Sequence, residues 1–398
     1  MKIGLDARTL TAPRPRGTGR NLLDAYRLVP ALRPDWEFVF YHQRPVDQAA
    51  SAPDAPWNHP NVQLRLIDIP GDRFDAWFQL RLPLAARSDR LDLLHLPANA
   101  APRWCPVPCV VTIHDLAPLV VPDELPPRET RAFRRGILRA VAAATHIITP
   151  SQATRNTLHQ DLGVHPDRMT VVPWAPDAGI VEGTREPLTA ARRAALRSKY
   201  ELGEHWLISF SGSARRKNAR GVLDGFARVP AEQRRGVQVL LTGCEPADYR
   251  AALVATAERL GISSDCRILG FVPHADLPAL IQGSSGLLIP SRCEGFGLPI
   301  LDAFACGVPV LTSNTSSMPE VAGDAAVYCD PHAPCSIAAG ITQLLDPNVA
   351  ARLIPLGRER LSQFNWHRTA EAMCAVYEQS GASPPPSRTA EMLEGCPR

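Results

Sequence analysis

Short apolar runs alternate with helix-length stretches along most of the chain, and this alternation limits the folds that the chain can adopt. In the first half the runs lie at 2–7, 37–41, 91–96, 109–113, 145–149 and 170–173. In the second half they lie at 207–212, 237–243, 266–270, 286–290, 308–312 and 325–328. Runs of this length, separated by segments long enough for a crossover helix, are typical of strands buried in a parallel sheet. The sequence therefore predicts an α/β protein with doubly wound sheets.

The 398 residues exceed what one hydrophobic core usually holds, so we expect two domains. A polar stretch at 181–204 separates the two sets of apolar runs. The first run is followed by Gly17 and Gly19 and then by a helical pattern, which is how a Rossmann-like unit begins. We predict an N-terminal domain at 1–180 and a C-terminal domain at 181–365. The tail at 381–398, rich in proline and small residues, is expected to be disordered.

The composition excludes several classes of protein. Hydrophobic residues make up 45% of the chain and charged residues 21%, which is the balance of a globular protein. The 43 basic and 40 acidic residues leave a formal charge of +3, too small to indicate a nucleic-acid partner. The 10 cysteines form no zinc-binding spacing and are expected to be reduced thiols of a cytoplasmic protein. We also expect no exported or membrane-spanning form, since Asp6 and Arg8 interrupt any signal peptide and no apolar run reaches about 18 residues.

The most specific stretch is the segment at 291–313, SRCEGFGLPILDAFACGVPVLTS. It follows an apolar run, places Glu294, Gly295 and Gly297 in a loop, and continues into a helix that contains Asp302. Backbone N–H groups at the start of such a helix lie at the positive end of its dipole and bind anions. A glycine pair in this spacing is also compatible with an ordinary tight turn.

This segment resembles the signature of the retaining, nucleotide-sugar-dependent glycosyltransferases of GT-B fold, the family 4 or group 1 type, in which a Glu is followed by seven residues and a second Glu. Four further segments match that family in order: GLDARTL with GTGRN near the start, 110–120, 210–227 and 269–281. The resemblance covers roughly residues 1–378. It implies two Rossmann-like domains facing a cleft, with the acceptor on the first and the nucleotide sugar on the second. It also implies a crossover helix at 366–380 that returns to the first domain.

The resemblance assigns roles in the loop that follows the apolar run at 286–290. Glu294 matches the first acidic residue, which holds the hydroxyls of the donor sugar together with backbone amides. The donor-binding residues on that loop would be Gly295, Phe296, Gly297 and Leu298. Asp302 stands where the family usually has a Glu that binds the ribose. Because aspartate is one methylene shorter, its ribose contact requires help from backbone or water.

Arg216 and Lys217, in the matching segment at 210–227, stand where the family places the cations that hold the diphosphate. As the bond to the diphosphate breaks, negative charge grows on the leaving phosphate and must be neutralised. The sequence contains no Asp-x-Asp pair, which favours fixed cations over a divalent metal. Lys217 is one of only three lysines, which suggests a requirement for a compact charge. The alternative is a solvated charge cluster at the start of a helix.

His114 and Asp115 match the family's histidine near the donor sugar, and Gly17 with Gly19 matches a loop near the donor phosphates and the acceptor. The alternatives are a structural contact for the first pair and a simple turn for the second. Neither role requires a metal or another cofactor, and none is predicted.

Four arginines recur at spacings of three and four residues within the segment 128–141. They are Arg128, Arg131, Arg135 and Arg139. A basic amphipathic helix of this kind can bind an anionic membrane surface, so peripheral contact with the inner face of the cell membrane is one interpretation. The other is a solvated helix face.

The resemblance therefore predicts a retaining hexosyltransferase of polysaccharide biosynthesis. GDP-mannose is the preferred donor, UDP-glucose comes next, and the acceptor is a saccharide or a lipid-linked saccharide. The alternatives are a sugar-nucleotide epimerase of the same fold and a catalytically silent nucleotide-sugar-binding subunit. An NAD-dependent dehydrogenase is disfavoured because RGTGRN lacks the third glycine of the dinucleotide-binding motif.

Overall fold

The structure is a computed structural model that describes residues 1–12, 17–46, 54–68, 75–121 and 124–382. Its residues divide into two compact units. Unit 1 consists of Met1–Leu119, Pro126–Trp174 and the chain from Trp366 onward, and unit 2 consists of Val120–Leu125 and Ala175–Asn365. Unit 2 therefore contains a six-residue segment that is separated in sequence from the rest of it. Most of the tail predicted to be disordered, at 383–398, lies outside the described residues.

Unit 1 contains a seven-stranded parallel sheet with the order β3-β2-β1-β4-β5-β6-β7. Its strands are β1 (Lys2–Asp6), β2 (Glu37–His42), β3 (Val62–Leu66), β4 (Leu93–Leu96), β5 (Cys109–Thr112), β6 (His146–Thr149) and β7 (Met169–Val171). The order reverses between β1 and β4, as in a Rossmann fold, and the loops at the carboxyl ends of these two strands are the usual place for a ligand.

The helices of unit 1 cover both faces of this sheet. They are α1 (Thr18–Tyr26), α2 (Val29–Leu32), α3 (Leu82–Ser88), α5 (Pro127–Ala143), α6 (Gln152–Leu162) and α17 (Trp366–Gly381), with α4 (Ala117–Val120) ending at the unit boundary. A π-helical turn at Trp77–Arg81 precedes α3. Leu94 and Leu96 of β4 pack with α3 and α5 in one core. His95, between them in the strand, faces the opposite side, as alternation along a strand requires.

The C-terminal helix α17 packs in unit 1 through a buried polar network. The Tyr377 hydroxyl lies 2.8 Å from that of Tyr26 and 2.9 Å from His95 Nδ1. His95 Nε2 lies 2.8 Å from the Thr112 hydroxyl. Thr369 also donates to the carbonyl oxygen of Pro173 at 2.7 Å. Helix α17 therefore belongs to unit 1, and buried hydrogen bonds fix its position.

Unit 2 contains a six-stranded parallel sheet with the order β10-β9-β8-β11-β12-β13. Its strands are β8 (His205–Ser209), β9 (Val237–Leu241), β10 (Cys266–Ile268), β11 (Gly286–Ile289), β12 (Val310–Ser313) and β13 (Ala326–Cys329). Counted within the unit, this is again the Rossmann order, and its reversal lies between β8 and β11. The α/β fold class with two doubly wound sheets is confirmed.

The helices of unit 2 connect these strands. They are α7 (Ala178–Gly183), α8 (Ala190–Tyr200), α9 (Ala219–Arg228), α10 (Ala231–Arg234), α11 (Ala247–Arg259), α12 (Leu277–Gln282), α13 (Leu298–Ala305), α14 (Met318–Ala322), α15 (Pro334–Leu344) and α16 (Pro347–Leu361). Phe226 of α9 and Ile337 of α15 are completely buried in a core with the sheet residues Leu207, Leu288 and Leu311. On the other face, the indole N–H of Trp206 donates to the Leu280 carbonyl oxygen at 3.1 Å.

One strand, β3, lies where the sequence patterns give no assignment, in the proline-rich segment at 42–80. It forms one edge of the first sheet, next to β2. None of its residues is fully buried, and two of them are exposed. Because it is not buried on both faces, it lacks the continuous apolar run that identifies the central strands.

Candidate active site

The predicted anion-binding residues of unit 2 lie at the reversal point of its sheet. β8 leads into the turn with Arg216 and Lys217, and the neighbouring strand β11 leads into the loop with Glu294. The backbone N–H of Arg292 donates to the carbonyl oxygen of Arg216 at 2.7 Å and joins the two connections. Parallel pairing of β8 and β11 thus brings together residues more than 70 positions apart in the sequence.

A 3-10 turn at Arg215–Lys217 presents the two cations. It ends at Asn218, which adopts the left-handed conformation with φ 60° and is 4% exposed. The Asn218 side-chain amide donates to the carbonyl oxygens of Pro290 at 3.0 Å and Pro331 at 2.8 Å. Asparagine tolerates this backbone conformation better than most residues, and its two bonds fix the turn against the end of β11.

The carboxylate of Glu294 contacts both cations. Its carboxylate accepts hydrogen bonds from Lys217 Nζ at 3.1 Å, from Arg216 Nη1 and from Ser291 Oγ at 3.0 Å. Burial on its own raises the pKa of this carboxyl, but Lys217 and Arg216 outweigh that effect and lower the pKa to about 2. Glu294 is therefore an anion at any physiological pH.

The loop that follows Glu294 is fixed by the segment after β12. The backbone N–H of Glu294 donates to Ser316 Oγ at 3.0 Å, and Ser317 Oγ lies 2.9 Å and 2.7 Å from the carbonyl oxygens of Glu294 and Phe296. Gly297 has a φ of 114°, and a Cβ there would lie 2.6 Å from Met318 Cε. This position therefore requires glycine for two reasons, its conformation and its space.

Phe296 and Leu298 complete the transition from this loop to α13. Phe296 is 5% exposed and packs edge-on against Phe364 with ring centroids 5.9 Å apart. Leu298 is the first residue of α13, and Gly295 lies between Glu294 and Phe296. The chain thus runs directly from Glu294 into the first turn of α13, and donor binding by these residues stays a prediction.

Asp302 of α13 is 7% exposed. Its Oδ1 accepts a hydrogen bond from the backbone N–H of Asp177 at 3.0 Å. Asp177 in turn caps α7 and contacts His274 Nε2 at 3.0 Å. Asp302 thus holds the chain at the start of unit 2, a role that no local sequence pattern indicates, and ribose binding by this residue stays a prediction.

His114 and Asp115 belong to unit 1 and follow β5. His114 Nε2 lies 2.7 Å from the Pro97 carbonyl oxygen, which can only accept, so this nitrogen carries the proton. Burial lowers the pKa of His114, although Pro97 and Asp115 partly oppose it. The ring stacks on Trp174 at 5.9 Å, and Asp115 accepts from the Ala117 backbone N–H at 3.0 Å. His114 is therefore a neutral imidazole with a fixed tautomer.

Gly17 and Gly19 lie at the start of α1 in unit 1. Gly17 precedes the helix with a φ of 36°. Gly19 is already inside α1, because the helix begins at Thr18, and it is buried. Only Gly17 therefore requires a glycine conformation, and the predicted loop role for the pair stays a prediction.

The four arginines of the segment 128–141 lie on one helix, α5, as predicted. Arg128, Arg131, Arg135 and Arg139 are all exposed, and the opposite face of the helix buries Ile137, Ala140 and Val141. Arg134 is also exposed.

Glu124 is a charged residue of the site that sequence reasoning missed. It lies in the segment Val120–Leu125 of unit 2, and its side chain is 7% exposed. Its Oε2 accepts from the backbone N–H of Arg216 at 2.7 Å, and its Oε1 lies 3.7 Å from Arg216 Nε. No spacing or motif indicates this contact, since the two residues are 92 positions apart.

In the described ranges, no group of three or more histidine, cysteine, aspartate or glutamate side chains is arranged to hold a metal ion. Among the same residues, no helix combines the length and the apolar composition that crossing a bilayer requires.

Two family models together match most of the chain. The model described as Glycosyltransferase Family 4 matches residues 15–178, and the model described as Glycosyl transferases group 1 matches residues 193–360. The chain is 30% identical over 275 residues to the O-antigen chain mannosyltransferase B of Escherichia coli, a match that covers 68% of this chain and 70% of that protein. It is 31% identical over 242 residues to the serotype-specific mannosyltransferase WbdA of Escherichia coli, covering 60% of this chain but 28% of that protein.

Solved structures share the fold at low sequence identity. The Anabaena protein HepE, crystallised with UDP and glucose, superposes with a TM-score of 0.70 at 18% identity, over 95% of this chain and 100% of that one. With two Rossmann-ordered sheets, a returning C-terminal helix and matches to both family models, the chain belongs to the GT-B glycosyltransferases, is a hexosyltransferase, and is similar to mannosyltransferases.

Proposed function

We propose that this protein is a retaining hexosyltransferase that moves mannose from GDP-mannose to a saccharide or lipid-linked saccharide acceptor, with UDP-glucose as the second candidate donor. The observation that supports this most directly is the contact of Glu294 with Arg216 and Lys217 beside the start of α13. Two cations, a carboxylate and the backbone amides at the start of α13 suit a ligand that joins a diphosphate to a sugar.

In the proposed reaction, Arg216 and Lys217 bind the donor diphosphate and neutralise the charge that grows as the anomeric bond breaks. Glu294, with the amides of Gly295, Phe296 and Gly297, holds hydroxyls of the donor sugar. The contacts of both cations with Glu294 hold them in a defined orientation. The acceptor hydroxyl attacks the anomeric carbon from the face that the phosphate leaves and passes its proton to that phosphate. The nucleoside diphosphate departs, and no side chain has to form a covalent intermediate.

The remaining predicted residues have supporting roles in this proposal. His114, neutral and with the proton on Nε2, keeps Nδ1 as an acceptor for a hydroxyl of the donor sugar. Gly17 and Asp115 lie at the carboxyl-end side of the first sheet, on the unit that binds the acceptor. Asp302 contacts the ribose through water or backbone, since its side chain is short and one oxygen already bonds to Asp177.

The preference for mannose rests on the relatives, which are named as mannosyltransferases. UDP-glucose stays second because the fold is shared with HepE, whose structure contains UDP and glucose. A panel of nucleoside diphosphates in a thermal-shift experiment would test the base, since a ligand of the folded state raises its melting temperature. We expect GDP to stabilise the protein more than UDP, and the reverse order would contradict the GDP-mannose assignment.

Product analysis tests the reaction itself. The protein would be incubated with GDP-mannose or UDP-glucose and a mannose-containing acceptor, and the anomeric configuration of the new linkage would be read by NMR. An α-linked product from an α-linked donor is expected, and a β-linked product would exclude retention. Conversion of the donor sugar without any acceptor would indicate an epimerase, and nucleotide binding without turnover would indicate a silent subunit.

We further propose that the exposed arginine face of α5 binds an anionic membrane surface where a lipid-linked acceptor lies. Each arginine near such a surface contributes about 1 kcal/mol, and the effect is screened over roughly 10 Å at 0.1 M salt. Cosedimentation with phosphatidylglycerol vesicles should therefore fall with salt and with Arg131→Glu plus Arg135→Glu, while transfer to a short soluble acceptor stays unchanged. No binding of the unmodified protein at low salt would show that the face is only solvated.

A further inference from the structure

Glu124 and Glu294 contact Arg216 at different atoms. The Glu124 carboxylate contacts the backbone N–H and lies near Nε of Arg216, while Nη1 of the same guanidinium donates to Glu294 and to the Cys293 carbonyl oxygen at 3.2 Å. The guanidinium is therefore held at Nη1 by two hydrogen bonds and lies within ion-pair distance of Glu124 at Nε. Fixing both the backbone and the side chain leaves this arginine little rotational freedom.

The position of Glu124 is unusual for a site that would bind an anion. Its carboxylate is almost completely buried, and a buried carboxylate costs free energy unless it is paired. With Glu124 included, the formal charges of four side chains cancel, since two cations and two anions are present. These side chains are Arg216, Lys217, Glu294 and Glu124. A site built only to attract a diphosphate would not include this second carboxylate, so its benefit must come from geometry.

We propose that Glu124 is a positioning residue that fixes Arg216, and through the turn Arg215–Lys217 also Lys217, in the geometry that binds the β-phosphate of the donor. This inference rests on the proposed function of the two cations. Glu124 itself does not contact the donor. It acts by preorganising the cations, so that the donor does not have to order them on binding.

The test is the affinity of the full-length protein and its Glu124 variants for GDP, UDP and the corresponding monophosphates, measured by calorimetry. Glu124→Ala removes both contacts and should weaken diphosphate binding about tenfold. Glu124→Gln keeps an oxygen acceptor for the Arg216 N–H but loses the charge, so it should recover part of that loss. Glu129→Gln, an equal charge change on the exposed first turn of α5, is the matched control and should bind like the unmodified protein.

The ratio of monophosphate to diphosphate dissociation constants separates positioning from general destabilisation. Loss of Arg216 geometry should weaken the diphosphate more than the monophosphate, because only the diphosphate carries the second phosphate. An equal weakening of both ligands would indicate a structural role and overturn the inference. Unchanged or tighter diphosphate binding in Glu124→Ala and Glu124→Gln would also overturn it, and tighter binding would show that the carboxylate competes with the ligand.

The same measurements distinguish a failure of this inference from a failure of the proposed function. If the unmodified protein binds no nucleoside diphosphate, or if Lys217→Ala binds it equally well, the diphosphate role of the cations is wrong. If Lys217→Ala weakens binding and the Glu124 variants do not, only the positioning role of Glu124 is wrong. If Glu124→Ala does not fold, the near-isosteric Glu124→Gln variant still decides the question.

Discussion

Replacing Lys217 with alanine removes one of the two cations assigned to the leaving diphosphate. In the unmodified protein its Nζ lies 3.1 Å from Glu294 Oε1, and its side chain is 25% exposed. The turn that carries it is fixed by Asn218, so the backbone should survive the change. We expect the variant to fold normally and to lose most of its transfer activity.

The size of the loss follows from the charge that Lys217 faces. A unit charge about 4 Å from a phosphate oxygen contributes about 4 kcal/mol at an effective dielectric constant of about 20. Two effects reduce the share of this energy that contributes to kcat. Only the charge that develops as the bond breaks counts, and water around the partly exposed Lys217 screens the interaction. About 2–3 kcal/mol is then lost from the transition state, which corresponds to a decrease in kcat of about 10²-fold.

The assay is steady-state transfer with saturating donor, with Lys199→Ala as the control. Lys199 is the other lysine of unit 2, and it pairs with Asp276 far from these two loops in the sequence. Lys217→Arg keeps the charge but not the compact shape and should recover only part of the activity. Lys217→Ala should also raise the pKa of Glu294, because Lys217 is the largest contributor to its depression. A kcat within threefold of the unmodified value would refute the diphosphate assignment.

Three further outcomes are expected. Asp302→Ala should mainly raise the donor KM, because a ribose contact is made equally in the ground and transition states. Asp302→Asn should keep the hydrogen bond to the Asp177 N–H, so its free energy of unfolding should be about 1 kcal/mol higher than that of Asp302→Ala. An equal loss of kcat in Asp302→Ala and Glu294→Ala would contradict this division of roles. Transfer should continue after chelation of divalent metals, and complete, reversible loss would show that a metal is required. Burial lowers the pKa of His95 to about 3, whereas the same histidine in the unfolded chain takes up its proton near pH 6.5. The stability that neutral His95 contributes is therefore fully present above about pH 6.5 and is lost as the pH falls toward 3. Urea unfolding of His95→Gln should show a weaker dependence on pH in that range than the unmodified protein.

The central strands of both sheets could be predicted from the sequence because they are buried on both faces and therefore apolar throughout. β11 (Gly286–Ile289) and the helix α5 (Pro127–Ala143) lie where the patterns place them. β3 could not be predicted, because an edge strand with exposed residues resembles a loop in a proline-rich segment. Apolar runs in a sequence indicate buried segments, so they do not identify strands or helices that are mostly exposed.

The same limit applies to the candidate site. Glu294, Arg216 and Lys217 could be named because each lies in a segment with a recognisable local pattern, and the structure brings these three together. The bond from Asp302 to the Asp177 N–H joins residues 125 positions apart, and no local pattern accompanies it. The contact of Glu124 with Arg216 is equally remote. Contacts of this kind arise only when the chain folds.

Unit 2 consists of two separate segments, Val120–Leu125 and Ala175–Asn365. This division matters for the expression of unit 2 as a fragment. A fragment expressed from residue 175 onward would contain the complete second sheet and both loops of the site. It would nevertheless lack Glu124 and the hydrogen bond between this residue and the backbone N–H of Arg216. We expect such a fragment to bind nucleoside diphosphates more weakly than the full chain. Adding a short synthetic peptide that spans residues 117–127 would be a direct attempt to restore the missing contact in trans.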